Sequence, residues 1–185
     1  AKLFFFYSCN RVALAAMFVF SVGSSHIAHG ELVEGHWKLK SDRQTAELRS
    51  GRSVVVSGSL IAVGATGDRT NGPKSGAVYV FESGDEGWTR TKLVPPDGEV
   101  EGRFGWKVAT DAGRIAIAAP WASNPVAERS GKIYLYERAD GAWRHRLLRI
   151  RDPEVEGQVG RGLAKAGGRI MVGAPFDMNA NGSKA

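Results

Sequence analysis

The side chains able to do chemistry are few in this chain, and most stand alone. Asp177-Met178-Asn179-Ala180-Asn181-Gly182 fits D-x-[DN]-x-[DN]-G, a pattern in which alternate oxygen side chains converge on calcium and glycine permits the turn. Only one of its three oxygen donors is a carboxylate, and no glutamate follows before Ala185. The loop therefore reads as a polar Asn/Gly turn, with weak calcium binding as the alternative. Asn181-Gly182-Ser183 is also a glycosylation sequon, meaningful in a eukaryotic secretory pathway. Beyond residue 30 there are two histidines, His36 and His145, and no G-x-S-x-G elbow accompanies them. His145 lies between Arg144 and Arg146 and reads as a solvated edge residue, since no nucleophile stands near it in sequence. The acidic pairs Asp85-Glu86, Glu99/Glu101 and Glu154/Glu156 fall in turns, where solvated charge is expected. Spacing alone does not make them a glycosidase dyad. The expectation is a protein that is not an enzyme, with no catalytic residue, no cofactor and no metal site, its binding residues unknown.

Two further features could bind rather than react. Arg144, Arg146, Arg149 and Arg151 form a basic run that could grip sulfate, phosphate or carboxylate through paired N–H donors. Alternating arginines equally suit an outer strand whose charge discourages pairing with other edges, and that reading is preferred. Trp121 opens a variable loop. It reads as packing, with recognition as the alternative, because tryptophan is enriched at binding hot spots.

Composition narrows the compartment. Lys2 and Arg11 precede an uncharged run from Val12 to Val22, followed by small residues and Ala28-His29-Gly30. A basic start, a short apolar stretch and small residues at the cleavage positions describe a secretory signal peptide. Cleavage is expected after Gly30, with Gly23 as the alternative and an uncleaved membrane anchor as the other outcome. The apolar run is shorter than the roughly 18–20 residues that cross a bilayer. Removing residues 1–30 takes two basic and no acidic residues, leaving +4 of the formal +6 charge. It also removes Cys9, the single cysteine, so the remainder can form no internal disulfide or cysteine–zinc site and must be held by its core. The compartment argues against nucleic acid as a partner.

The elements that would position any site recur. Phe104 to Pro120 reads as an apolar strand, an Asp-Ala-Gly turn and a second apolar strand ended by proline. Gly51 to Thr66 and Val159 to Pro175 repeat it, with Ala65, Ala119 and Ala174 spaced by 54 and 55 residues. Gly76 to Glu82 and Gly131 to Glu137 form a third strand of each unit, and Trp88 to Val94 and Trp143 to Ile150 a fourth. Four strands at a period near 50 describe a β-propeller blade. Ile115 and Ile117 alternate with Ala116 and Ala118, so both faces are apolar, as in a strand covered on each side.

Phe104-Gly105, the Gly173-Ala174-Pro175 triplet and the strands Gly76 to Phe81 and Gly131 to Tyr136 resemble, in register, the FG-GAP repeat family of integrin-α-type propellers. The nearer likeness is to its bacterial extracellular members, whose repeats carry a tryptophan after the third strand. The resemblance implies an extracellular propeller that binds through its loops. It also implies a calcium loop between the first two strands, but Ser57-Gly58-Ser59, Asp111-Ala112-Gly113 and Ala166-Gly167-Gly168 are too short to supply one.

The expected fold is all-β: four-stranded antiparallel propeller blades, incomplete, about two full blades with half of a third and one closing strand. Residues 1–30 are assigned to the signal peptide, 31–50 to a linker and closing strand around Trp37 to Leu39, 51–103 and 104–158 to two blades, and 159–185 to a partial blade. Further blades are expected beyond Ala185. The expected function is a secreted or cell-surface scaffold, or a periplasmic one, binding an extracellular protein or glycan through its loops. Membrane contact would come only through an uncleaved N-terminal segment. The alternatives are an accessory propeller of a secreted enzyme and polyanion binding through the arginine-rich fourth strand.

Overall fold

The computed structural model describes residues 17–18, 36–37, 48–85, 87–125, 127–151 and 153–176. The chain is all-β. Two short strands, β1 (Met17–Phe18) and β2 (His36–Trp37), pair in parallel with each other. The expected closing strand is thus seen only as His36–Trp37, paired with Met17–Phe18; Leu39 lies outside the described residues.

The first large sheet contains β3 (Ser50–Ser57), β4 (Leu60–Ala65), β5 (Ala77–Gly84) and β6 (Gly87–Leu93). The second contains β7 (Lys107–Asp111), β8 (Arg114–Ala119), β9 (Lys132–Ala139) and β10 (Ala142–Leu147). Each is an antiparallel meander in chain order, and β11 (Gly162–Ala166) with β12 (Arg169–Gly173) forms the first hairpin of a third unit. The strands fall where the repeat was read from the sequence, with ends differing by up to three residues, as where β10 stops at Leu147 and not at Ile150. The β7–β8 turn has two residues, Ala112 and Gly113, both at positive φ (49° and 70°), the handedness that matches strand twist in a tight hairpin.

The sheets stack face to face. Ile115 and Ile117 from β8 and Tyr134 and Tyr136 from β9 meet Leu60, Ala62, Val78 and Val80 of the first sheet in one buried core. Ala118 and Ile133, on the opposite side of the second sheet, pack with Val159, Leu163 and Val172 of the third unit. The two-sided apolar strands β8 and β9 of the second sheet are therefore covered on both faces, which is what their sequence requires. The first strands of successive units, β3, β7 and β11, lie beside one another.

Main chain also joins the units, beside the apolar core. The N–H of Phe104 donates to the carbonyl of Ser75 at 2.9 Å and that of Arg103 to Lys74 at 3.1 Å; one unit later Val159 donates to Ser130 at 2.8 Å and Gln158 to Arg129 at 3.2 Å. This approach leaves no space for a side chain at Gly76 or Gly131, where a Cβ would stand 2.2 Å from the carbonyl oxygen of Phe104 or Val159. Phe104 is fully buried, edge-on to Tyr134 and Tyr136 at centroid distances of 5.3 and 6.0 Å. The small residues of the repeat thus serve packing, and Gly64 faces Gly105 across the same joint.

Candidate functional site

Because β3, β7 and β11 lie side by side, the residues that begin them converge. Arg52, Trp106 and Arg161 hold one repeat position, each directly after the glycine of its unit (Gly51, Gly105 and Gly160). Trp121 and Phe176 hold another, each directly after the proline (Pro120, Pro175) that follows the end of β8 or β12. The Arg52 guanidinium lies 3.4 Å from the Trp106 ring centroid, and that of Arg103 lies 4.2 Å from Trp121. Arg161 is surrounded by three rings, 5.4 Å from Trp106, 4.9 Å from Trp121 and 5.1 Å from Phe176. The two indoles meet edge to face at 4.4 Å. Trp106 is buried, Arg52 is exposed, and Arg103, Arg161, Trp121 and Phe176 are partly buried.

The electrostatics are one-sided. Burial holds the Arg52 guanidinium below its ordinary pKa, and the charges of Arg161, Arg103 and Arg49 lower it further. Burial lowers Arg103 as well, with Glu101 opposing and Arg49, Arg129 and Arg161 reinforcing. All remain cationic at neutral pH, since an arginine does not lose its proton in a protein. Among the described residues no carboxylate forms an ion pair with Arg52, Arg103 or Arg161. The Nε of Arg103 is buried without a hydrogen-bond partner. Such an arrangement can bind an oxyanion; it contains no nucleophile and no base.

The carboxylates are engaged elsewhere. Buried Asp68 pairs with Lys92 at 2.8 Å and accepts from Tyr79 at 3.3 Å. Burial alone would raise its pKa, but the hydrogen bonds from Lys92 and Thr70 hold it low. Asp97 and Glu99 both grip Lys132, at 2.6 and 2.7 Å, and Asp97 accepts from the Tyr134 hydroxyl at 2.8 Å. Here too burial is outweighed by Lys132 and Tyr134, and Asp97 stays below the usual carboxylate range. Asp111 accepts from the backbone of Gly168 at 3.0 Å and from Lys165 at 3.2 Å, tying the second unit to the third. Arg138 pairs with Glu82 across the first two sheets.

Several residues singled out in the sequence lie apart from the arginine–aromatic cluster. Arg144 and Arg146 are exposed on the edge strand β10, and Arg149 and Arg151 are exposed beyond it. His145 tilts against Tyr136 at 5.5 Å. Glu99, expected as solvated charge, instead also accepts the Ser123 N–H and fastens one sheet to the next through Lys132. Glu101 pairs with Lys74 at 3.0 Å and Glu156 with Arg129 at 3.8 Å, while Asp85 is exposed. Glu86 and the Asp177–Gly182 loop lie outside the described residues. Trp121 belongs to the cluster. Arg52, Arg103, Trp106, Arg161 and Phe176 were missed, although three of them share one position in the repeat.

Four-stranded meanders stacked face to face, first strand beside first strand, define propeller-type blades. The FG-GAP repeat model matches residues 40–81 and 88–136, and the chain is an FG-GAP repeat protein. The second match begins in β6 and ends in β9, so the sequence unit is offset from the sheet by one strand. No curated protein matches the chain.

Proposed function

We propose that the chain is an extracellular or cell-surface scaffold that binds a protein or glycan through the loops after its second strands, with no chemistry of its own. The observation that carries this reading is the convergence of Trp121 and Phe176, from the loops after the second strands, with Arg52, Trp106 and Arg161 at one end of the stack. Variable loops on a rigid frame are where binding residues concentrate. FG-GAP repeats are typical of extracellular or surface proteins, which agrees with the expected signal peptide. The test screens the purified chain against an array of extracellular proteins and of neutral and acidic glycans. A second protein carries residues 67–75 in place of residues 121–130. Binding lost in the exchanged protein, with its melting temperature held, supports the reading. Binding untouched by the exchange, or no binding across the array, overturns it.

A further inference from the structure

The arginine–aromatic cluster has a chemistry specific enough to name its ligand. At 3.4 Å from the Trp106 centroid, the Arg52 guanidinium is in van der Waals contact with the ring, a distance that suits stacking. Stacking of this kind occupies the face of a guanidinium and leaves its in-plane N–H donors free, the fork that matches an oxyanion. Arg161 lies 5.4 Å from the same ring, so these two cations are no farther apart than those two distances combined. Arg103 reaches the neighbouring indole, which Arg161 also approaches. Three like charges held together repel one another, and contact with the rings opposes that repulsion. Glu101 opposes the charge of Arg103, but no carboxylate among the described residues forms an ion pair with the three arginines, and Arg103 Nε is buried without an acceptor.

We infer that this cluster binds an acidic glycan, its carboxylate or sulfate groups seated on Arg52, Arg103 and Arg161 and its sugar rings against the partly exposed Trp121 and Phe176. Several guanidinia close together favour a ligand with several anionic groups over a lone anion. The rings between them favour one whose anionic groups hang from an apolar C–H face, which a sugar has and an acidic peptide lacks. The basic run on β10 offers charge without the rings: Arg144 and Arg146 are exposed, and among the described residues neither lies over an aromatic ring. The inference rests on the binding-scaffold reading and gives that scaffold a ligand class and a seat.

The test titrates the whole chain with heparin, which carries sulfate and carboxylate, and with polygalacturonate, which carries carboxylate alone. Dextran and poly-glutamate are the neutral and peptide probes. Arg52→Gln with Arg161→Gln is expected to weaken binding to at least one of the two acidic polysaccharides about tenfold or more, with a shallower salt dependence. Arg144→Gln with Arg146→Gln is expected to leave it unchanged. Arg52→Lys with Arg161→Lys keeps the charge and removes the fork, so it separates a fold defect from a lost contact; this pair should melt like the wild type and still bind more weakly. Preference for heparin alone assigns a sulfate-dependent seat, and equal binding of both assigns a carboxylate one. Equal loss from the β10 pair, full binding by the lysine pair, equal affinity for poly-glutamate, or no binding of either polysaccharide each overturns the inference. The scaffold reading survives that result if the array still yields a protein or neutral glycan lost on loop exchange.

Discussion

Replacing Gly76 with alanine should damage the joint between the first two sheets, while the same change at Gly113 should not. Both glycines have positive φ, +85° and +70°. Alanine therefore carries a left-handed backbone penalty of about 1–2 kcal/mol at either position. At Gly113 that is the whole cost, because nothing lies within 4 Å of the added Cβ. At Gly76 the Cβ would stand 2.2 Å from the Phe104 carbonyl oxygen and 2.5 Å from its nitrogen. Main chain cannot swing aside as a side chain does, so the sheets must part. Parting strains the bonds from Phe104 to Ser75 (2.9 Å) and from Arg103 to Lys74 (3.1 Å). Each contributes about 1 kcal/mol net. The sum is ~3–4 kcal/mol for Gly76→Ala against ~1–2 kcal/mol for Gly113→Ala. A gap of about 2 kcal/mol corresponds to roughly 4–8 °C in melting temperature for a domain of this size. Far-UV circular dichroism melts of both variants, with urea midpoints at unchanged slope, measure it. Coincident midpoints would refute the close-approach argument.

Other outcomes follow from the same contacts. Lys132→Met leaves Asp97 and Glu99 without their cation and should cost about 2 kcal/mol by urea unfolding, given a lysine side chain only 12% exposed. Asp68 and Asp97 have folded pKa values below the unfolded value of about 3.9, so the unfolded chain binds their protons more tightly. Their stabilisation is complete above that value and is lost as pH falls through the lower folded one; a urea midpoint that rose on acidification would contradict the assignment. Phe104→Ala removes a fully buried ring and should cost ~3–5 kcal/mol, with Phe104→Leu recovering most of it, again read from the urea midpoint. In a secretory host the exported chain should begin near Glu31 by intact mass, and an exported form retaining Met17 would rule out cleavage after Gly30.

The strands and their order were readable because each unit is apolar on both faces and is punctuated by glycine, aspartate and proline in the same places. Ile115 and Ile117 do face one core while Ala118 faces the other. The glycines announced close approach, though not which backbone approached. The arginine cluster was not readable one unit at a time. Arg52 alone is a polar residue near the start of a strand, and Trp106 alone is an aromatic before one. Their relation exists only once β3 and β7 are neighbours. Glu99 escaped for a similar reason: its sequence neighbours are polar turn residues, and its partner Lys132 lies 33 residues downstream on another sheet. The expected closing strand depended on a partner strand that a single sequence does not supply.

The peptide groups and glycines at each seam repeat from unit to unit whatever side chains flank them. A unit that offers a carbonyl row, and a residue without a Cβ beside it, meets the main-chain half of what the next one requires. Copying or exchanging a unit would keep that main-chain pattern, while the apolar faces and the ion pairs of Lys132 and Arg138 that cross the boundary would still have to match. The number of units in such a chain can drift through gene duplication while the loops at the arginine-bearing end diversify independently.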